Sequence, residues 1–107
     1  MNWAKANRRI LTHSNYVLKA NTKSGYWFGI WKKKLERYQT LFKSNFNIIL
    51  FGSENDEIDF YIIPFSSIKD LLTQENLYSF QGGKRWIGDI RNHILKFRHS
   101  PIERNIS

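Results

Sequence analysis

The sequence predicts an α+β fold: a curved, mostly antiparallel sheet of about six strands, able to form an open pseudobarrel, with two covering helices and an N-terminal helix. The first observation behind this prediction is the length of 107 residues, which suits one domain. The second is a hydrophobic content of 41%, with 16% aromatic residues, which provides a packed core and excludes a disordered chain. The third is the segment 46–72, where two apolar runs flank a short polar one.

Residues 46–72 form the scaffold of the predicted fold. The runs 46–51 and 58–63 predict two adjacent strands that are largely buried on both faces, and residues 52–57 predict their hairpin loop. Pro64 cannot extend a central strand ladder, but its fixed φ suits the first turn of a helix. A short amphipathic helix should follow, with apolar residues at helical spacing: Phe65, Ile68, Leu71 and Leu72.

Two further helices are predicted in the first half of the chain. Residues 2–11 have helical amphipathicity, with Arg8 and Arg9 on the polar side. A second helix begins at Lys32 and runs to about residue 42. Its inward residues are expected to be Leu35, Tyr38, Leu41 and Phe42. The macrodipole disfavours cations at a helix N-terminus. Either solubility or a neighbouring phosphate backbone would explain the three lysines that open this helix: Lys32, Lys33 and Lys34.

Two strands are predicted between these helices. They cover residues 15–20 and 26–31, with the polar turn 21–25 between them. Gly29 inside the second strand indicates a bulge or a close approach to the backbone. Alternation places the aromatic and aliphatic side chains of this strand on two faces, with Tyr26, Phe28 and Ile30 on one and Trp27 and Trp31 on the other.

The last part of the chain predicts a polar connection and two more strands. The connection covers residues 73–83, and the strands cover 84–90 and 93–98, joined near Arg91 and Asn92.

Two side chains of these last strands have a predicted position. Trp86 alternates with apolar residues, which favours the core over base stacking, and His93 is expected to be half-buried in a strand. The domain should span residues 1–100, with a flexible tail at 101–107.

The charge is segregated along the chain. Residues 1–50 hold ten lysines and arginines against one acid, Glu36, and residues 51–80 hold six acids against one base, Lys69. Residues 81–107 return to six bases against two acids. A molecule with one basic side attracts a polyanion, most often nucleic acid, by releasing condensed counterions.

Composition also restricts the class of protein. The chain has no cysteine, so disulfides and thiolate metal sites are excluded. Its N-terminus lacks the apolar core of a signal peptide, and no apolar run reaches the length of a membrane span. A cytoplasmic protein with no membrane partner is therefore expected.

Patterns that indicate catalysis are weak. The three histidines His13, His93 and His99 lack metal-ligand spacing. The acids Asp56, Glu57 and Asp59 are not followed by the Asp/Glu-x-Lys triplet that a restriction-type nuclease uses to hold a divalent ion. No glycine-rich phosphate loop is present. We therefore expect no catalytic residues, no metal site and no cofactor.

Basic and hydrogen-bonding side chains point instead to nucleic acid. Lysines at a helix end usually contact phosphates, whereas arginine and asparagine on turns can read guanine and adenine edges. The candidate DNA-binding residues are Arg8, Arg9, Lys23, Ser24, Lys32, Lys33, Lys34, Lys84, Arg85, Arg91, Asn92 and Arg98.

The order of elements resembles that of small DNA-recognition domains of bacterial restriction endonucleases, including B3-like pseudobarrels. The resemblance covers roughly residues 15–99 and rests on the segments Tyr26-Trp27-Phe28-Gly29-Ile30, Phe60-Tyr61-Ile62-Ile63-Pro64-Phe65 and Arg85-Trp86-Ile87-Gly88-Asp89-Ile90. It implies that two arms grip the major groove and that a separate nuclease domain or subunit cleaves. By position, the turn 21–25 and the region 84–93 would be the arms. The basic N-terminal helix and the lack of an attached catalytic domain depart from the usual arrangement.

The sequence thus predicts a non-catalytic module that binds double-stranded DNA, as the recognition part of a restriction system. Three alternatives remain open. They are an RNA-binding module of similar shape, a small metal-dependent nuclease using Asp56, Glu57 and Asp59, and a domain whose basic face binds an acidic protein.

Overall fold

The computed structural model describes residues 14–23, 25–52 and 59–106. The predicted N-terminal helix, with Arg8 and Arg9, lies outside these ranges, as do Ser24 and most of the predicted hairpin loop. Asp56 and Glu57 belong to that loop and are outside as well.

Strands dominate the described part of the chain. The elements are β1 (Asn15–Lys19), β2 (Tyr26–Trp31), α1 (Lys32–Phe42), β3 (Asn47–Phe51), β4 (Phe60–Pro64), α2 (Phe65–Ile68), β5 (Leu77–Phe80), β6 (Gly83–Arg91), β7 (Ile94–Phe97) and β8 (Arg104–Asn105). Two 3-10 turns, Lys69–Leu71 and Gln74–Asn76, connect α2 to β5. The predicted α+β class is confirmed.

The strands form two sheets rather than the single curved sheet predicted. The smaller sheet has the order β1-β3-β4, and the larger has the order β2-β6-β7-β8, with β5 also paired to β6. Only the pair of β1 and β3 is parallel, so mostly antiparallel pairing is confirmed. Two sheets arise because β1 pairs with β3, and its link to β2 is an isolated bridge between Asn21, which follows β1, and Trp27. Neither sheet closes on itself to form a barrel.

The two sheets share one hydrophobic core, to which both helices contribute. Its buried residues include Tyr16, Phe28, Ile30, Leu35, Ile48, Leu50, Ile63, Phe65, Ile68, Trp86, Ile90, Leu95 and Phe97. Aromatic rings pack beside each other in it: Phe28 and Phe97, on either side of Gly88 in the larger sheet, are edge to face at 5.8 Å. Trp86 is 6% exposed, so its predicted core position is confirmed. Burying each large apolar side chain contributes about 1.5–3 kcal/mol relative to exposure.

The predicted scaffold segment is largely confirmed. β3 and β4 are antiparallel neighbours, and Ile48, Ile49 and Leu50 are completely buried, so β3 is covered on both faces. The same prediction is wrong for β4, because it is an edge strand with Ile62 46% exposed. Pro64 ends β4 and directly precedes α2, where a fixed φ is tolerated. The predicted helix is only one turn long before it continues as 3-10 structure.

The helix α1 has the predicted bounds but a narrower inward face. Leu35 is buried, and Tyr38 and Phe42 are half-buried on the same side. Leu41 is 72% exposed, so its predicted inward position is wrong. The reason is that Leu41 lies about 100° around the helix axis from Phe42, beyond the stripe that meets the core. No helix within the described ranges is long and apolar enough to cross a membrane.

Two segments predicted to be irregular contain strands. The polar connection includes β5, which pairs with β6 through Leu77 opposite Trp86. The segment expected as a flexible tail includes β8, which pairs with β7. Arg104 of β8 donates to both carboxylate oxygens of Asp70, at 2.7 and 3.1 Å. These hydrogen bonds lower the pKa of Asp70 below its ordinary value.

Tyr16 connects the smaller sheet, the larger sheet and α1. Its side chain is 1% exposed, and its ring stacks on that of Tyr38 at 5.3 Å. Its hydroxyl accepts a hydrogen bond of 3.1 Å from the backbone N–H of Trp31, at the junction of β2 and α1. Burial raises the pKa of the Tyr16 hydroxyl, against the opposing effect of this hydrogen bond.

We expect Tyr16→Phe to lower the free energy of unfolding by about 1–3 kcal/mol, because the N–H of Trp31 loses its acceptor in a partly buried place. Urea unfolding followed by circular dichroism measures the change. Tyr38→Phe is the matched control, since its hydroxyl donates to the backbone oxygen of Asn15 in a more open position. Equal losses in the two variants would contradict the special role of the Tyr16 hydroxyl.

Candidate nucleic-acid interface

One face of the larger sheet points away from the core, and we call it the outer face. Cross-strand partners lie on the same side of a sheet, so the strand register identifies its members. They include Trp27, Trp31, Tyr78, Phe80, Arg85, Ile87, Asp89, Arg91 and Lys96. The face therefore combines aromatic rings with cations, and Asp89 is the single acidic residue in β2, β5, β6 and β7.

Arg85 lies between two aromatic rings on this face. Its Cζ is 4.2 Å from the ring centroid of Phe80 and 5.1 Å from that of Trp31. Its Nε is buried and has no hydrogen-bond partner among residues 14–23, 25–52 and 59–106, which is costly for a charged donor. Gly29 makes room for the side chain, because a Cβ at that position would lie 3.1 Å from the Cδ of Arg85. The predicted close approach at Gly29 is thus confirmed, and no bulge is present.

A second arginine lies over a ring of the same face. Arg98 directly follows β7, and its Cζ is 5.0 Å from the ring centroid of Trp27. The backbone N–H of Arg98 donates to the oxygen of Ile87 at 2.9 Å, which ties this residue to β6. Cation–π contacts of this kind favour a fixed guanidinium direction. No carboxylate among the described residues forms a salt bridge with Arg85 or Arg98.

The charge of Asp89 is neutralised within the face. Its Oδ2 accepts a hydrogen bond of 2.9 Å from the Nε of Arg91, which has a 65% exposed side chain. The Arg91 guanidinium also reaches the turn 21–25, since a Cβ on Gly25 would lie 3.7 Å from its Nε. Gly25 has a φ of 123°, which a residue with a side chain rarely adopts. This end of the face therefore brings Arg91 next to the first predicted arm.

The turn between β6 and β7 closes the same end. Asn92 and His93 have φ values of 51° and 65°, the left-handed pair that a tight two-residue hairpin turn requires. Both side chains are exposed, so the prediction of a half-buried strand position for His93 is wrong. The Nδ1 of His93 lies 2.9 Å from the hydroxyl of Tyr61. The predicted junction near Arg91 and Asn92 is confirmed.

A pocket of about 490 Å³ opens on the outer face beside Arg85. Side chains from several strands line it, among them Lys19, Asn21, Trp27, Phe80, Arg85 and Arg98. Three of these side chains are cations, and no acid in the part of the chain that the structure describes lines the pocket. The volume lies within the range of about 300–1,000 Å³ that small-molecule sites occupy.

The predicted region 84–93 is not an arm along its whole length. Most of it is the nine-residue strand β6 in the middle of the sheet, because its alternating apolar residues face the core. Lys84 and Arg85 point to opposite faces, as neighbours in a strand must. Arg85 is at one end of β6, and Asn92 is beyond the other end.

The lysines that open α1 directly follow Trp31 of the outer face but do not line the pocket beside Arg85. Lys32 forms a salt bridge of 3.1 Å with Glu36, and the Nζ of Lys34 lies 4.8 Å from the ring centroid of Tyr16. Lys33 is exposed. Lys23 is also exposed, in the turn 21–25, where its backbone N–H donates to the Oδ1 of Asn21 at 3.0 Å.

Sequence reasoning missed several residues of this face. Trp27, Phe80 and Lys96 were not among the candidates, nor was Lys19 of β1, which lines the pocket beside this face. The alternation of Leu77, Tyr78, Ser79 and Phe80 before two glycines is a hairpin signal that identifies β5. Trp31 packs over that turn, since a Cβ on Gly83 would lie 3.5 Å from its ring.

Within the ranges 14–23, 25–52 and 59–106, no three histidine or acidic side chains are grouped so that they could hold a metal ion. No protein-family model, curated protein or solved structure matches this chain.

Proposed function

We propose that the chain binds double-stranded DNA without cleaving it, as the sequence-recognition part of a restriction system. The observation that carries the binding proposal is the composition of the outer face, where cations surround one acid that is already paired with Arg91. Such a face attracts phosphates through counterion release. The restriction system is proposed from the resemblance of residues 15–99 to recognition domains of restriction endonucleases.

The hairpin of β6 and β7 suits the major groove of a duplex. That groove is about 12 Å wide and admits a two-stranded β-ribbon. The tip of the hairpin carries Arg91 and Asn92, the residue types that form paired hydrogen bonds with guanine and adenine. Asp89 holds the Nε of Arg91 and so sets the direction of its guanidinium. These residues would read bases.

Phosphate contacts would come from the cations around the hairpin. Lys96 and Arg98 are exposed on its second strand and just after it, and Lys23 is exposed in the adjacent turn. Contacts of this type position a duplex and carry no sequence information.

Unpaired RNA or DNA is a second candidate, favoured by the aromatic side chains of the outer face. Trp27 and Trp31 are half-buried there, and rings on an open sheet are typical platforms for unpaired bases. Competition between a labelled duplex and unlabelled single-stranded or structured RNA tests the choice. The duplex proposal requires that unlabelled duplex DNA competes better than either RNA.

The first prediction about DNA binding concerns the outer face. We expect the double variant Lys96→Gln with Arg98→Gln to weaken binding to all duplexes about equally, because two phosphate contacts are lost. The slope of log affinity against log salt should become less steep by about 0.9 for each contact. Fluorescence anisotropy over a series of salt concentrations measures it.

Arg37→Gln with Lys43→Gln is the matched control, since it removes the same charge from exposed positions in α1 and just after it. A salt slope that falls equally in both double variants would show that net charge, rather than the outer face, governs binding. That result would contradict the proposed interface.

The second prediction concerns the hairpin tip. On a sequence enriched from a random duplex library, Arg91→Ala should cost about tenfold or more in affinity, equivalent to about 1.4 kcal/mol. Asn92→Gly should have a similar effect, and glycine keeps the left-handed φ of 51° without strain. Both variants should bind a scrambled duplex almost as well as the unmodified chain. Equal losses on both duplexes would limit these residues to phosphate contacts.

A further inference from the structure

The pocket beside Arg85 is lined by donors and ring surfaces. Its cations are Lys19, Arg85 and Arg98, and the rings of Trp27 and Phe80 form part of its wall. Asn21 uses its Oδ1 to accept the N–H of Lys23, so the amide nitrogen is the group it can offer to a ligand. Since no acid among the described residues lines the pocket, an anion is the ligand that this wall suits.

Arg85 is held in place before any ligand binds. Its guanidinium lies between the rings of Phe80 and Trp31, in the space that Gly29 leaves open. Its Nε is buried without a hydrogen-bond partner among the described residues, so the packing of rings and Gly29 around it fixes its position. A phosphate in the pocket would accept hydrogen bonds from the Nη groups of this charged, preorganised guanidinium, which lines the pocket.

The ring surface extends the chemistry beyond a simple anion. Trp27 lies beside the cations of the pocket, with Arg98 5.0 Å from its ring centroid. Planar aromatic and guanidinium groups are the surfaces on which unpaired bases stack. The volume of about 490 Å³ is larger than a phosphate needs and accommodates an attached planar group.

We propose that this pocket binds one unstacked nucleotide, with its phosphate at Arg85 and Arg98 and its base against Trp27. The inference rests on the proposed nucleic-acid function and deepens it. Within a stacked duplex the base faces are covered. The nucleotide therefore comes either from a single strand or from an unpaired position of a duplex.

Nuclear magnetic resonance with small probes tests the pocket directly. The side-chain N–H signals of Trp27 and Arg85 are followed during titration with thymidine monophosphate, thymidine and inorganic phosphate. We expect the nucleotide at millimolar concentration to shift both signals, phosphate to shift mainly Arg85, and thymidine to act more weakly than the nucleotide. Phosphate effects on both signals equal to those of the nucleotide would overturn the assignment of a base site. No shift with any probe would overturn the pocket itself.

Variants separate the pocket from general charge effects. Arg85→Gln should weaken nucleotide binding at least about tenfold, whereas Arg37→Gln, an exposed arginine on α1 with the same charge change, should leave it unchanged. Thermal unfolding confirms that both variants are folded. If Arg85→Gln loses stability, Arg85→Lys replaces it, because lysine keeps the charge but lacks the planar donor group. Equal affinities in Arg85→Lys and the unmodified chain would contradict the proposed role of the guanidinium.

Oligonucleotides distinguish the source of the nucleotide and the level at which the idea fails. A thymidine oligonucleotide and a duplex with one unpaired thymidine should shift the Trp27 signal in the same direction as thymidine monophosphate does, and a fully paired duplex should not reproduce that shift. If only the single-stranded oligonucleotide shifts the Trp27 signal, the pocket binds nucleotides of single strands. If the duplex with one unpaired thymidine shifts it as well, the pocket also binds unpaired nucleotides of duplexes. If the duplexes bind but no oligonucleotide gives the Trp27 shift seen with the mononucleotide, the pocket assignment is wrong and the proposed function stands. If the mononucleotide binds but no oligonucleotide does, the pocket stands and the proposed nucleic-acid function is wrong.

Discussion

The buried hydroxyl of Tyr16 is the contact on which the arrangement of both sheets depends. Tyr16 belongs to β1 in the smaller sheet. Its hydroxyl accepts a hydrogen bond from the backbone N–H of Trp31, the last residue of β2 in the larger sheet, directly before α1. The stack of Tyr16 on Tyr38 brings α1 against the same point. Because a partly buried N–H is stabilised by a protein partner, this hydrogen bond holds the end of β2 near β1, and the two backbone hydrogen bonds between Asn21 and Trp27 hold its start. Trp31 is a member of the outer face, so the same hydrogen bond also positions that face relative to the smaller sheet.

The sequence predicted the local elements well and their partners less well. Apolar runs with alternation identified β2, β3, β4 and β7, and the bounds of α1 followed from its lysines and its inward stripe. What could not be predicted was that β1 would join β3, because two strands joined by a short turn usually pair with each other. The exposure of Leu41 and Ile62 was missed for a related reason. Periodicity shows that a face is apolar, but only the packing of other elements shows whether it is covered.

The candidate site, too, could be predicted only in part. Arg91 and Asn92 were predicted at a turn, and a tight two-residue turn follows Arg91 in the structure. The pairing of Arg85 with Phe80 was beyond the sequence, because β5 was hidden in a polar connection and the contact requires the register of three strands. The length of β6 also divides the region 84–93 that was predicted to be one arm. Residues that are close in the chain, such as Lys84 and Asn92, lie at opposite ends of a strand, so they cannot act as one arm.

The parallel pairing of β1 with β3 has a consequence for how the chain acquires its structure. Asn15 pairs with Asn47, so β1 cannot complete its ladder until β2, α1 and β3 have all been made. During synthesis on a ribosome, β1 therefore leaves the exit tunnel well before its partner and spends that interval with an unpaired edge. The antiparallel hairpin of β6 and β7 has no such delay, since its strands are adjacent in the chain. Closure of the smaller sheet is thus a long-range event, which should make it slower than formation of the hairpin that carries the proposed reading surface.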